Sequence, residues 1–297
     1  MRYTLTTILL LLLISSDSYS QGRFDKVEIT TQKVTDNIYM LQGAGGNIAV
    51  LTGEDGTLMV DDQFAPLSEK IMGAVQAITE HKVHYLLNTH WHGDHTGGNE
   101  NFANTGATII AHDNVRKRVS TEQIRPFGRS TPASPEAAWP QLTFNDEMHI
   151  HYNNENVHLI HNHNAHTDGD SFVYFSDSNV LHMGDCFFKD RFPFIDRDMG
   201  GNPDGYIDAV SAALLIVDED TQIIPGHGDL AKKQDLQNFY DMLIVMRGRV
   251  KKSVADGHTV EQAVEANLTE GYDTWGEGFI NNETMVKTLF SAYSEMK

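Results

Sequence analysis

Four metal-binding side chains lie within six consecutive positions of the segment NTHWHGDHTGG, residues 88–98. They are His90, His92, Asp94 and His95. A strand would send His90 and His92 to one face and His95 to the other, and a helix would spread all four around its axis. A tight turn after a strand can bring them to one point. We therefore expect this turn to bind metal ions.

Three later segments offer further candidate ligands. His166 lies in AHTDGD, Asp185 in MGDC and His227 in PGHG, each at a predicted junction between strand and loop and with glycine nearby. Glycine lets the backbone turn sharply and pass close to a ligand. Imidazole and carboxylate suit zinc, although iron or manganese could take similar ligands. A bound zinc lowers the pKa of its water to about 7, and two metals about 3.5–4 Å apart could share the resulting hydroxide.

The hydrophobic pattern predicts strands and helices in alternation, with the candidate ligands on their connections. The predicted strands are 27–41, 47–52, 57–60, 83–88, 107–111, 148–152, 157–161, 172–175, 180–183 and 223–224. The predicted helices are 68–80, 209–217, 235–252, 261–268 and 283–296. This order favours two mixed sheets packed together with helices outside, in one domain. Residues 116–140 carry four prolines, a pattern that predicts a long loop or a broken helix. A loop of this length could act as a lid.

The first twenty residues have the pattern of a secretory signal peptide. Arg2 gives a basic start, residues 8–14 are an apolar run, and small residues precede Gln21. The apolar run is too short for a spanning helix, although an uncleaved membrane anchor is the alternative. We expect a mature chain, residues 21–297, that is periplasmic or secreted.

Charge and cysteine content restrict the partners. The net charge is −19, and removal of residues 1–20 leaves it unchanged. Such acidity disfavours nucleic acids and anionic membranes, so we expect a small-molecule substrate. An anionic substrate would need a local positive feature. The single cysteine, Cys186, cannot form an internal disulfide.

The motif HxHxDH, followed in order by His166, Gly184-Asp185 and Gly226-His227, resembles the metallo-β-lactamase superfamily. The resemblance covers about residues 27–230 and leaves about residues 231–297 as a C-terminal helical extension. It implies an α/β fold, a four-layered αβ/βα sandwich, with the metals between the loop ends of the two sheets.

The resemblance also implies a division of the ligands between two zinc ions. One zinc would take His90, His92 and His166. The second would take Asp94, His95 and His227. Asp185 would bridge the two ions, and Asp61 would be a buried structural aspartate.

Asp185 and its neighbour Cys186 compete for the bridging position. One branch of the β-lactamases uses a cysteine in the pattern C-x-x-K, whose lysine holds the substrate carboxylate, and Cys186 and Lys189 have that spacing. That branch lacks the histidine found here at His95, so we favour Asp185. Lys189 is either a solvated loop residue or an anion anchor. The predicted catalytic residues are therefore Asp94, Asp185 and Lys189.

These features predict an exported enzyme with two zinc ions, whose metal-bound hydroxide attacks a carbonyl. Opening of a β-lactam is favoured, because export and C-x-x-K both suit it. A lactonase or thioesterase with the same site is the first alternative, and a non-catalytic periplasmic zinc-binding protein is the second. The remaining histidines, including His149 and His158, are expected to be strand or surface residues without a second site.

Overall fold

The computed structural model describes residues 22–125 and 130–295. Its strands are β1 (Thr30–Lys33), β2 (Ile38–Gln42), β3 (Ile48–Gly53), β4 (Gly56–Val60), β5 (Val83–Asn88), β6 (Thr108–His112), β7 (Gln123–Ile124), β8 (Ser130–Thr131), β9 (Leu142–Phe144), β10 (Glu147–Tyr152), β11 (Glu155–His161), β12 (Ser171–Phe175), β13 (Val180–His182) and β14 (Gln222–Ile224). Its helices are α1 (Ser68–Ile78), α2 (Gly93–Thr96), α3 (Asn99–Asn104), α4 (Asp113–Val119), α5 (Pro203–Ile216), α6 (Lys233–Ala255), α7 (Val260–Glu265) and α8 (Asn282–Glu295).

Two sheets form the centre of the molecule. The first has the strand order β1-β2-β3-β4-β5-β6-β9, and the second has the order β10-β11-β12-β13-β14. In the first sheet β4, β5, β6 and β9 run parallel, and in the second β13 and β14 run parallel. Because parallel neighbours end at the same edge, the loops that follow them come together there.

Alternation along the strands creates four layers. In β3, Ala49 and Leu51 face the core between the two sheets, whereas Ile48 and Val50 belong to the core under α1 and α3. In β12, Val173 faces the core between the sheets and Phe172 faces the core under α5 and α6. Successive side chains of a strand point to opposite faces, so each sheet has one face against its partner and one against helices. The predicted αβ/βα sandwich is confirmed.

The helices after residue 230 form the outer layer of the second sheet. Phe239 and Met246 of α6, with Leu289 of α8, are buried in the same core as Leu181 of β13 and Ile223 of β14. Burying a side chain of this size contributes about 1.5–3 kcal/mol to stability. The predicted C-terminal extension therefore packs directly on the sheet.

Most predicted elements are observed with boundaries shifted by a few residues. The strand segment predicted over 27–41 contains β1 and most of β2, which a turn joins into an antiparallel pair. Residues 116–140 contain the end of α4, the β7–β8 hairpin and a 3-10 turn at Glu136–Ala138. The predicted signal peptide lies outside the described residues. In the described ranges, no helix combines the length and apolar character needed to cross a bilayer.

Candidate metal centre

The predicted ligands lie on loops that follow strands of both sheets. His90 and His92 follow β5, and the short helix α2 carries Asp94 and His95. The other three come from the second sheet: His166 from the loop before β12, Asp185 from the turn after β13 and His227 from the loop after β14. The structure brings all seven predicted metal ligands together.

Four residues form the first ligand group: His90, His92, His166 and Asp185. The candidate ligand atoms of this group all lie within 4.8 Å of one another. Asp185 Oδ2 is 3.5 Å from His166 Nε2 and 3.8 Å from His90 Nε2. His92 presents its Nδ1 atom, which is 2.8 Å from His166 Nε2. Four donor atoms this close fit one metal ion.

Three residues form the second ligand group: Asp94, His95 and His227. Asp94 Oδ2 is 3.4 Å from His227 Nε2 and 3.8 Å from His95 Nε2. The other oxygen of Asp185, Oδ1, is 3.0 Å from His95 Nε2 and 3.3 Å from His227 Nε2. The two oxygens of Asp185 therefore face different ligand groups, as a bridging carboxylate requires.

Three ligand atoms of this centre are buried and make no hydrogen bond of acceptable geometry with the described residues, although two of them, His95 Nε2 and Asp185 Oδ1, lie 3.0 Å apart. They are His90 Nε2, His95 Nε2 and Asp185 Oδ1. Burying a charged or polar atom without a partner is costly. A cation at the first ligand group would satisfy His90 Nε2, and a cation at the second would satisfy His95 Nε2 and Asp185 Oδ1. The nitrogen and carboxylate donors of each ligand group are therefore of the kind that binds a divalent cation.

A second contact orients each ring of the first ligand group, and the same is true of His95. The nitrogen that faces away from the ligand atoms lies 2.7–3.1 Å from an oxygen: Thr89 Oγ1 for His90, Asp196 Oδ2 for His92, Asp61 Oδ2 for His95 and the Phe194 carbonyl for His166. Such contacts select the tautomer and raise the basicity of the ligand. These contacts therefore orient the four rings without a metal ion.

Asp61 connects the first turn to the sheet. It directly follows β4, and its backbone has a positive φ of 61°. Oδ1 accepts a hydrogen bond from Thr89 N, and Oδ2 lies 2.7 Å from His95 Nδ1. The side chain is fully buried. Its contacts agree with the structural role that the resemblance implies.

Asp196 and Arg125 are functional candidates that the sequence did not reveal. Arg125 donates two hydrogen bonds to Asp196, at 2.9 and 2.7 Å, while Asp196 also contacts His92. Burial would raise the pKa of Asp196, but hydrogen bonds from His92 and Arg125 hold it far below its usual range. Asp196 follows no recognisable motif and lies 104 positions after His92, so only the fold brings them together.

Histidines of the two ligand groups have pKa values that are shifted in opposite directions. Burial lowers the pKa of His90 well below its usual value and that of His166 to about 4. Burial also opposes protonation of His95 and His227, but nearby carboxylates, Asp185 foremost, raise both pKa values, that of His227 to about 9. Without a metal, the second ligand group therefore holds protons that a cation would displace.

The structure decides between Asp185 and Cys186. Cys186 is 1% exposed and lies in the core of the second sheet. Burial raises the pKa of its thiol well above the usual value, which disfavours the thiolate needed for a ligand. Cys186 belongs to neither ligand group. Asp185 instead lies between the two ligand groups, where a bridging ligand would lie.

The prediction that Lys189 anchors a substrate carboxylate is corrected. Its ammonium donates a hydrogen bond to the Leu230 carbonyl and lies 3.4 Å from Asp235 Oδ2. Lys189 does not line the cavity above the ligand groups. The spacing of C-x-x-K is present, but the side chain points to the start of α6.

A cavity of about 540 Å³ lies above the ligand groups. Asp94, Asp185 and His227 reach it, so it gives access to both groups. Its walls are largely aromatic: Phe64, Trp91, Phe188, Phe192, Phe194 and Phe279. Three arginines also line it: Arg23, Arg125 and Arg191. A cavity of this size suits a small organic molecule.

Among the remaining histidines, His149 and His158 lie on strands as expected, and with Glu147 they form a separate cluster on the outer surface. Glu147 and His149 of β10 meet His158 of β11, with their candidate ligand atoms within 4.8 Å of one another. His158 Nε2 is 2.9 Å from Glu147 Oε2, and the two imidazole rings stack at 4.0 Å. The register pairs His149 with His158, a relationship that spacing along the chain did not predict.

The family of the chain follows from this site together with the fold. A family model described as the metallo-beta-lactamase superfamily matches residues 41–227, more than half of the chain. The protein belongs to this superfamily. Its members are mostly metal-dependent hydrolases, and the ligand groups described above lie within the matched residues.

One curated relative has a name other than metallo-β-lactamase. The alpha subunit of 2,4-dinitroanisole O-demethylase from Nocardioides sp. (strain JS1661) is 26% identical over 165 residues, which are 54% of this chain and 47% of that protein. The chain thus matches about half the length of this curated relative.

Solved structures share the fold. A metallo-beta-lactamase from Pontibacter korlensis has a TM-score of 0.62 and 13% identity, covering 73% of this chain and 99% of that one. The sec-alkylsulfatase Pisa1 from Pseudomonas sp. has a TM-score of 0.66 and 13% identity, covering 89% of this chain and 50% of that one.

Proposed function

We propose that this protein is an exported hydrolase that uses two zinc ions to cleave a small substrate. The observation that carries the proposal is the position of Asp185, whose two oxygens face separate ligand groups at one cavity. Bound divalent cations would supply Lewis acidity and a water of lowered pKa. Zinc is preferred because the donors are imidazole nitrogens and carboxylates.

The residues of the chain would orient the reaction. Asp94 reaches the cavity, and although burial opposes it, His95 and His227 lower its pKa to about 2. It therefore stays a carboxylate that can accept a hydrogen bond from an attacking water. The aromatic walls would exclude bulk water and strengthen the electrostatic interactions inside.

Opening of a β-lactam is the first candidate reaction. Support comes from the expected export, from the fold shared with solved metallo-β-lactamases and from a cavity large enough for such a molecule. The corrected position of Lys189 removes one argument for it. Cleavage of a lactone or thioester remains an alternative, because the same ligand set suits any of these carbonyls.

Cleavage of a sulfate ester is the second candidate reaction. The likeness to the sec-alkylsulfatase covers 89% of this chain and so extends past residue 227, where the family match ends. Phe279, on this later part of the chain, lines the cavity. An apolar wall here suits the hydrocarbon part of an alkyl or aryl substrate.

A substrate panel with metal analysis tests the proposal. The chain from residue 21, loaded with zinc, is assayed with a chromogenic cephalosporin, a lactone, a thioester and an alkyl sulfate. We expect about two zinc ions per chain and turnover of at least one substrate, lost on chelation and restored by zinc. Zinc is counted in the His149→Ala variant. This change removes a candidate ligand of the surface cluster, so that zinc bound there does not add to the count. Asp208→Asn, an exposed change on α5, is the control for Asp185→Asn.

Full zinc loading of the Asp185→Asn variant would contradict the bridging assignment. Two zinc ions without turnover of any panel member would favour the non-catalytic zinc-binding alternative. Turnover of the sulfate alone would select the second candidate reaction.

A further inference from the structure

Arg191 is a half-buried arginine that lines the cavity. In the described part of the chain, no carboxylate lies within ion-pair distance of its guanidinium. The net charge of the whole chain is −19, so carboxylates are abundant elsewhere. An arginine that lines a cavity and has no carboxylate partner among the described residues is available to an anion from solution.

The other basic groups near this cavity differ from Arg191. Arg125 is held by two hydrogen bonds to Asp196. Lys189 contacts Leu230 and Asp235 outside the cavity. Arg23 is exposed and lies over the ring of Phe64. Arg191 thus combines partial burial and access to the cavity with the absence of an ion-pair partner in the ranges 22–125 and 130–295.

The loop around Arg191 is held at several points. Phe188 stacks on the ring of His227 at 5.1 Å, and Phe194 contacts the ring of His92 at 5.8 Å. Phe192 N donates a hydrogen bond to the carbonyl of Trp275. A Cβ atom at Gly278 would lie 3.3 Å from the Cβ atom of Arg191, so the C-terminal segment packs against the base of this side chain. The arginine therefore extends from a supported loop between rings that contact both ligand groups.

We propose that Arg191 binds an anionic group of the substrate, carboxylate or sulfonate-like, while an aromatic or alkyl body lies against the surrounding phenylalanines. This inference deepens the proposed function and rests on it for the reaction. A guanidinium can make two parallel hydrogen bonds to such a group. The substrate class is therefore an apolar or aromatic molecule with one anionic group.

Calorimetric titration of the zinc-loaded chain tests this assignment without turnover. The probes are 2-naphthoate, 2-naphthalenesulfonate and the neutral 2-naphthamide. The variants are Arg191→Gln and, as a matched control on the same loop, Lys189→Gln. We expect Arg191→Gln to weaken both anions at least tenfold and to leave 2-naphthamide within twofold. Unchanged binding of the neutral probe also shows that the cavity is still folded.

The sulfonate distinguishes arginine from metal as the anion partner, because it is the poorer zinc ligand. Equal affinity of the original chain and Arg191→Gln for both anions would overturn the proposal, as would a loss confined to Lys189→Gln. An effect of Arg191→Gln on binding, combined with no turnover in the substrate panel, would retain the anion site and reject the hydrolase. Turnover of a panel substrate, without an effect of Arg191→Gln on anion binding, would retain the hydrolase and reject the anion site.

Discussion

His92 Nε2 lies 2.8 Å from Asp196 Oδ2, while the Nδ1 atom of the same ring lies 2.8 Å from His166 Nε2. Asp196 is in turn held by two hydrogen bonds from Arg125. The ring of His92 is therefore fixed from the side that faces away from the first ligand group. This arrangement orients Nδ1 towards the other candidate ligand atoms of the first group.

Replacing Asp196 with asparagine should weaken zinc binding to the first ligand group by about 10–100-fold, the usual cost of losing such a partner. The amide has the shape of the carboxylate but lacks the charge that balances His92 and Arg125. Competition with a chromogenic chelator measures the affinity. The control is Asp198→Asn, because Asp198 lies 3.9 Å from Arg125 and forms no ion pair with His92. Equal affinities of the two variants would contradict the orienting role.

Asp185 and Cys186 should respond oppositely to removal. Asp185→Ala takes a carboxylate from between the two ligand groups, so both zinc occupancy and rate should fall. Cys186→Ala removes a buried thiol that is no ligand, and the rate should stay within about tenfold, or about 1.4 kcal/mol in the barrier. Elemental analysis and initial rates measure both effects. A silent Asp185→Ala together with an inactive Cys186→Ala would mean that the thiolate is the ligand.

Zinc binding to the second ligand group should strengthen as pH rises. Burial lowers the pKa of His227, but Asp185 and Asp94 raise it to about 9, so the ring carries a proton at neutral pH in the metal-free protein. A metal ion must displace this proton. Below pH 9 the apparent affinity should therefore increase by up to about tenfold per pH unit from this residue.

Titrations between about pH 6.5 and pH 8.5 measure this slope. His166 supplies the contrast, because burial lowers its pKa to about 4 and it has no proton to lose in this range. The first ligand group should accordingly show the smaller dependence. A slope that is the same in the His227→Ala variant would assign the proton to another group.

Phe279→Ala should weaken binding of aromatic probes while costing little stability. The side chain is 83% exposed yet lines the cavity, and its ring contacts Phe194 at 6.0 Å. Truncation removes a wall of the cavity but leaves the cores intact, so the midpoint of thermal unfolding should hardly change. The control is Leu215→Ala on α5, which is 87% exposed and lies away from the cavity. Equal probe affinities in both variants would exclude Phe279 from the binding wall.

The amino-acid sequence by itself determined the ligand types, their order along the chain and the layers of the fold. HxHxDH is a local feature, because all its side chains belong to one turn. The alternation of apolar residues in β3 and β12 is local too, and it specifies which face of each strand is buried. Such patterns act over a few residues, so they can be recognised without the fold.

Only the tertiary structure decided which neighbouring side chain joins the ligand groups and which basic side chain lines the cavity. Asp185 has space for its carboxylate because Gly226, 41 residues later, has no side chain: a Cβ atom there would lie 2.1 Å from Asp185 Oδ1. Lys189 and Arg191 are two residues apart, yet one contacts α6 and the other the cavity. Side-chain direction in a loop depends on contacts with distant segments, and no period along the chain encodes those contacts.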